Sequence, residues 1–113
     1  MGSRMRKSAD ILSKEKLRDH ANLLKLLAHP TRLAILNSLI PGPKCVTDVC
    51  ELCEASQPNV SQHLALLRHE SIVKYYDEGK SRCYFLSQPN KMKNIFTSLM
   101  QDESESHPDC CKK

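Results

Sequence analysis

Between Ala55 and Arg68 the chain reads Ala-Ser-Gln-Pro-Asn-Val-Ser-Gln-His-Leu-Ala-Leu-Leu-Arg, and no other stretch restricts the possible folds as much. Val60, Leu64 and Leu67 recur at i, i+4 and i+7, which makes one apolar stripe of a helix. Ser56 suits the N-cap. Pro58 suits the first turn, where the amide it lacks would have no helical partner. The other face carries Gln57, Asn59, Ser61, Gln62 and His63 with no acid among them. Short amide, hydroxyl and imidazole groups of this kind pair with base edges and phosphate oxygens. A solvated surface helix would show the same local pattern, so the neighbouring segments have to decide.

Upstream, the helical pattern starts near Ser13, with Leu17, Ala21, Leu24 and Ala28 on one face and Leu23, Leu26 and Leu27 widening it. So broad an apolar face suits a helix that also touches a partner. His29-Pro30 breaks this helix and Pro30 opens the next, lined by Leu33, Leu36 and Ile40. Pro41-Gly42-Pro43 then makes a turn. A short helix follows from Val46 or Thr47 to Glu54, with Val49 and Cys53 facing inward. Downstream, residues 72–76 and 81–86 have β-type composition around Asp77-Glu78-Gly79-Lys80, which predicts a hairpin. Met92, Ile95, Phe96, Leu99 and Met100 give a final amphipathic helix.

The expected domain spans residues 13–103, flanked by a loose basic arm (1–12) and a Cys-containing tail (104–113). At 113 residues, one compact domain is what the chain can build. No apolar run approaches the roughly 18–20 residues of a membrane span, and no apolar region follows the basic start, so the expected location is cytoplasmic. The net charge of +4 is a weak guide to partners. Residues 1–32 hold eight Lys/Arg against three acids, whereas the rest of the chain is close to balanced.

Short helix, turn, polar-faced helix and hairpin, after two helices, is the order of a winged helix-turn-helix: mainly α with a β-hairpin wing, about five helices and two strands. In that arrangement the polar-faced helix enters the major groove and the hairpin lies along the backbone. Lys80 and Arg82 near the hairpin tip, Lys74 on its first strand and Arg68 at the helix end are the candidate phosphate contacts. Asp77 and Glu78 beside them offset that charge, and Arg68 also suits a helix C-terminus.

Three separated signatures carry a family resemblance: Leu26-Leu27-Ala28-His29-Pro30-Thr31-Arg32-Leu33-Ala34-Ile35-Leu36, Ser56–Arg68, and Gly79-Lys80-Ser81-Arg82 with Tyr84. Over about residues 13–100 the chain resembles the ArsR/SmtB family of metal(loid)-responsive winged-helix repressors, most of all its arsenic-responsive ArsR type. The resemblance implies a homodimer formed through the first and last helices. It also implies that Ser56, Gln57, Asn59, Ser61, Gln62 and His63 face double-stranded operator DNA. Neither a membrane partner, an enzymatic activity nor an organic cofactor is implied.

Six cysteines in a reducing compartment read as metal ligands or reactive thiols before disulfides. Cys45-Val46-Thr47-Asp48-Val49-Cys50 resembles the family's arsenic-type Cys-Val-Cys-Asp-Leu-Cys, with Thr47 in place of the middle cysteine. The inducer the resemblance implies first is As(III), with Sb(III), Cd(II), Pb(II) and Zn(II) as further thiophilic candidates. The expected ligands are Cys45 and Cys50, completed by Cys53 one turn further on or by the tail pair Cys110-Cys111. Cys53 also reads as a core thiol, and the tail pair as an unconstrained end. Cys83, between Arg82 and Tyr84, reads as a packed strand residue. His20 and His29 read as surface or capping groups. The family's zinc site on the final helix, Asp-x-His with a later His and acid, is missing from residues 89–103.

Other readings stand beside this one. A thiol redox or persulfide sensor of the same fold would use a disulfide in place of the metal bridge. Cys50-Glu51-Leu52-Cys53 is formally a C-x-x-C, but a thiol-disulfide enzyme needs a βαβ context that the pattern lacks. A winged helix that binds only protein partners would show no salt-dependent DNA affinity.

Overall fold

The structure, a computed structural model, describes residues 13–105, with side chains to residue 101. The expected arm, the tail and Cys110-Cys111 lie outside the described residues. Among the described residues, five helices and three strands follow in the order α1 (Lys14–Leu27), α2 (Pro30–Leu39), β1 (Lys44–Cys45), α3 (Val46–Cys53), α4 (Gln57–His69), β2 (Val73–Glu78), β3 (Ser81–Leu86) and α5 (Pro89–Glu105).

Local chemistry sets most of these boundaries. The Ser13 side chain accepts from the Lys16 amide and caps α1. His29 caps α2 by accepting from the Thr31 amide at Nδ1, with Pro30 at the first helical position. Glu54 ends α3 in the left-handed region at φ 54°, which turns the chain sharply into α4.

The core is where the apolar stripes of α2, α3 and α4 meet the sheet. Ile35, Leu36, Leu39, Val49, Val60, Leu64, Leu67 and Val73 are fully buried. Burial of each such side chain contributes about 1.5–3 kcal/mol. Leu27, Tyr84, Leu86 and Met92 close the periphery.

The expected hairpin is present, with β2 and β3 paired antiparallel from Val73↔Leu86 to Glu78↔Ser81. Gly79, at φ 65°, makes its two-residue turn with Lys80. A third strand, β1, extends the sheet to the order β1-β3-β2 and pairs Lys44↔Tyr84 and Cys45↔Cys83. Two residues carry no readable period, so this strand had no pattern to announce it.

Candidate nucleic-acid interface and thiol pair

Helix α4 is held by one face only. Val60, Leu64 and Leu67 are fully buried, whereas Gln57, Asn59, Ser61, Gln62 and Arg68 are exposed. The Ser56 hydroxyl accepts from the Asn59 amide at 3.3 Å, so it acts as the cap. His63 departs from its outward-facing neighbours. It is half-buried and its ring lies 4.6 Å from that of His29. Burial, then His29, then Arg32 hold its pKa below the ordinary 6.5, so His63 is neutral at neutral pH.

The wing is bound to α4 through Tyr75. The guanidinium carbon of Arg68 lies 4.9 Å from the centre of this ring, and that of Arg82 lies 4.0 Å from it. Arg82 Nε also donates to Asp77 Oδ1 at 3.1 Å. Much of the charge of Arg82 is therefore answered within the hairpin. Lys74 and Lys80 are exposed. Arg68, Ser71, Val73, Lys74 and Tyr75 line a shallow groove between the end of α4 and the wing. The exposed face of α4 and this cationic groove can accept a polyanion with presented bases.

Cys50 and Cys53 are half-buried against the core. Burial pushes the Cys53 thiol above its ordinary pKa, an interaction with Ser38 opposes this, and Cys50 adds to it. Cys45 is half-buried at the head of α3, and its sulfur makes no capping bond there. Instead, Cys45 Sγ lies 3.2 Å from Cys83 Sγ.

Cys83 is packed, as its strand neighbours imply, and only 4% exposed. It is not part of the core cluster, though. Tyr84 and Leu86 take the core face of β3, so the pleat turns Cys83 to the opposite face. There it stands between its cross-strand partners Cys45 and Tyr76, and it donates to Glu78 Oε1 at 3.8 Å. The hydrogen bond with Cys45 and burial push its pKa up to about 11. Among the described residues, no three His, Cys, Asp or Glu side chains gather where a metal could be held. The parity of β3 was the signal that could have identified Cys83: once Tyr84 is read as core, Cys83 cannot be.

Comparisons with known proteins agree with the geometry. The family described as "Bacterial regulatory protein, arsR family" matches residues 29–75. The chain is 44% identical over 66 residues to the arsenical resistance operon repressor of Escherichia coli K12; the match covers 58% of the chain and just over half, 56%, of that protein. It is 36% identical over 84 residues to the transcriptional repressor PagR of Bacillus anthracis, covering 74% of the chain and 83% of the relative. Among solved structures, HlyU from Vibrio cholerae superposes with a TM-score of 0.71 at 30% identity, covering 79% of this chain and 96% of that one. The two curated relatives are named as repressors, in line with the expectation of a non-enzymatic protein. With the winged helix-turn-helix fold and the matched segment in hand, the chain belongs to the arsR family of bacterial regulatory proteins.

Proposed function

We propose that this protein is a cytoplasmic, homodimeric repressor that binds double-stranded operator DNA and leaves it when a thiophilic species occupies its cysteines. The observation that carries the DNA-binding reading is the one-sided burial of α4 beside the cationic groove. Gln57, Asn59, Ser61 and Gln62 read base edges, Arg68, Lys74 and Lys80 meet phosphates, and Ser56 and His63 set the start and flank of the helix. Arg82 acts mainly by holding Tyr75, because Asp77 already answers its charge.

The test is fluorescence anisotropy with a fragment from the promoter of the chain's own gene. Affinity should fall steeply with salt. Gln57→Ala with Asn59→Ala should cost tenfold or more on that fragment, about 1–3 kcal/mol per lost base contact, and little on unrelated DNA. Equal losses on both fragments would refute base reading by α4.

Arsenite is the inducer this reading takes first, since arsenical resistance repressors are among the relatives. The expected donors are Cys45 and Cys50 with Cys53 or Cys110-Cys111. A three-thiolate site does not form among the described residues of one chain. This reading therefore takes its third sulfur from Cys53 after a local shift, from the tail pair or from a partner subunit. A second reading, a thiol redox or persulfide sensor, is favoured by the sulfur pair at 3.2 Å. Release by peroxide or polysulfide without arsenite would select it.

A further inference from the structure

We propose that Cys45 and Cys83 form a two-thiolate site for a trivalent arsenical, one that keeps a hydroxyl or a carbon substituent as its third group. Its regulatory consequence rests on the repressor reading above. The register of β1 on β3 sets Cys45 opposite Cys83, with Tyr76 and Glu78 on the same face of the sheet. Among the described residues, only these two sulfurs meet there. Cys50 and Cys53 pack against the core instead.

The number of sulfurs selects among thiophilic centres, and the spacing agrees with that choice. At a bond length of about 2.3 Å, a tetrahedral ion holds two sulfurs roughly 3.8 Å apart and calls for four ligands. At a similar bond length, a pyramidal centre with near right angles holds them roughly 3.2–3.3 Å apart. The observed separation is 3.2 Å. A linear two-coordinate ion would force the sulfurs much further apart than the paired strands allow.

The step needs no oxidant. In R–As(OH)2 two As–O bonds break and two As–S bonds form. Each thiol proton leaves on a hydroxyl as water, and arsenic stays trivalent throughout. Both cysteines can begin as neutral thiols, which suits the Cys83 sulfur, buried and donating to Glu78. Cys45, half-exposed at the head of α3, is the point of entry. Once bound, arsenic takes the space beside Glu78 and Tyr76 and ties α3 to the wing. Both elements that flank α4 would therefore respond to occupancy.

The experiment uses the full reduced chain with phenylarsine oxide as the probe. At one equivalent, protease mapping of the adduct should find the Cys45 peptide bridged to the Cys83 peptide. Bridging confined to Cys50-Cys53 or Cys110-Cys111 would overturn the proposal. A variant carrying Cys50→Ser, Cys53→Ser, Cys110→Ser and Cys111→Ser removes every other donor named above except Cys45. It should still take one arsenical per chain if the site is the Cys45–Cys83 pair, and loss of capture in it would overturn the proposal. Adding Cys83→Ser or Cys83→Ala to it should weaken capture, measured by dithiol competition, by roughly tenfold or more through loss of the second, locally concentrated thiol. Capture within twofold of the parent would also overturn it, as would a Cys45–Cys83 disulfide that forms under reductant before arsenical is added. Promoter binding by the arsenical-free chain is measured in parallel. If that fails while the Cys45–Cys83 adduct forms, the repressor reading falls and the site stands. If DNA binds but the adduct forms elsewhere, the site falls and the repressor stands.

Discussion

At the scale of single residues, α4 divides its labour along its two faces. Leu64 is fully buried in the centre of the stripe between Val60 and Leu67. Leu64→Ala should cost about 2–5 kcal/mol, because the packed surroundings can only partly close the cavity. Chemical denaturation should show a lower midpoint with an unchanged slope. His63 makes a different prediction. Its folded pKa lies below its unfolded value of 6.5, so from 6.5 downward the unfolded chain binds more protons than the folded one. Its contribution is therefore present above pH 6.5 and is lost as the pH falls below it. His63→Gln should flatten the decline in melting temperature between pH 7 and pH 5.5, and an identical slope in both proteins would reject this role. The Cys45–Cys83 contact belongs to this scale too, and here the sequence was mute. The partners are 38 residues apart, and sheet register alone brings them together. The cap at Ser56 and the stripe at 60, 64 and 67 were legible because each is set within a turn or two of chain.

At the scale of elements, the junction between α3 and α4 is short and strained. Glu54 sits at φ 54° and ψ 47°, where a side chain costs roughly 1 kcal/mol relative to glycine. Glu54→Gly should stabilise the fold by about that amount and raise the melting temperature by about 4–8 °C. A lower melting temperature would show that the Glu54 side chain makes a contact worth more than the strain. Under the proposed function the same junction would couple the thiols to DNA recognition, because Glu54, Ala55 and the Ser56 cap are all that lie between the last turn of α3 and α4. The hairpin was legible from Gly79 and its flanking β-type residues. Strand β1 was hidden in what reads as the approach to a helix, because its extended form comes from pairing with β3.

At the scale of the whole molecule, the first and last of the described helices leave apolar surface uncovered by the other described residues. Leu17 and Leu24 on α1 are 53% and 59% exposed, and Leu99 and Met100 on α5 are 54% and 69% exposed. Four large side chains exposed on α1 and α5 are a burial deficit that a second copy of the chain would remove. Under the proposed function, a dimer would also hold two copies of α4 at the fixed spacing that reading two half-sites requires. Leu99→Glu places a charge in the proposed interface, where burial without a partner is costly. Sedimentation velocity should then show a monomer at concentrations where the unmodified chain is a dimer. Promoter affinity should fall steeply, because one α4 makes only half the contacts. Leu99 is half-exposed in the single chain, so the variant's own fold should remain, with a circular dichroism spectrum like that of the parent. A Leu99→Glu protein that stayed dimeric would move the interface away from the C-terminal half of α5. One that became monomeric yet bound the promoter as tightly would separate dimerisation from DNA reading altogether.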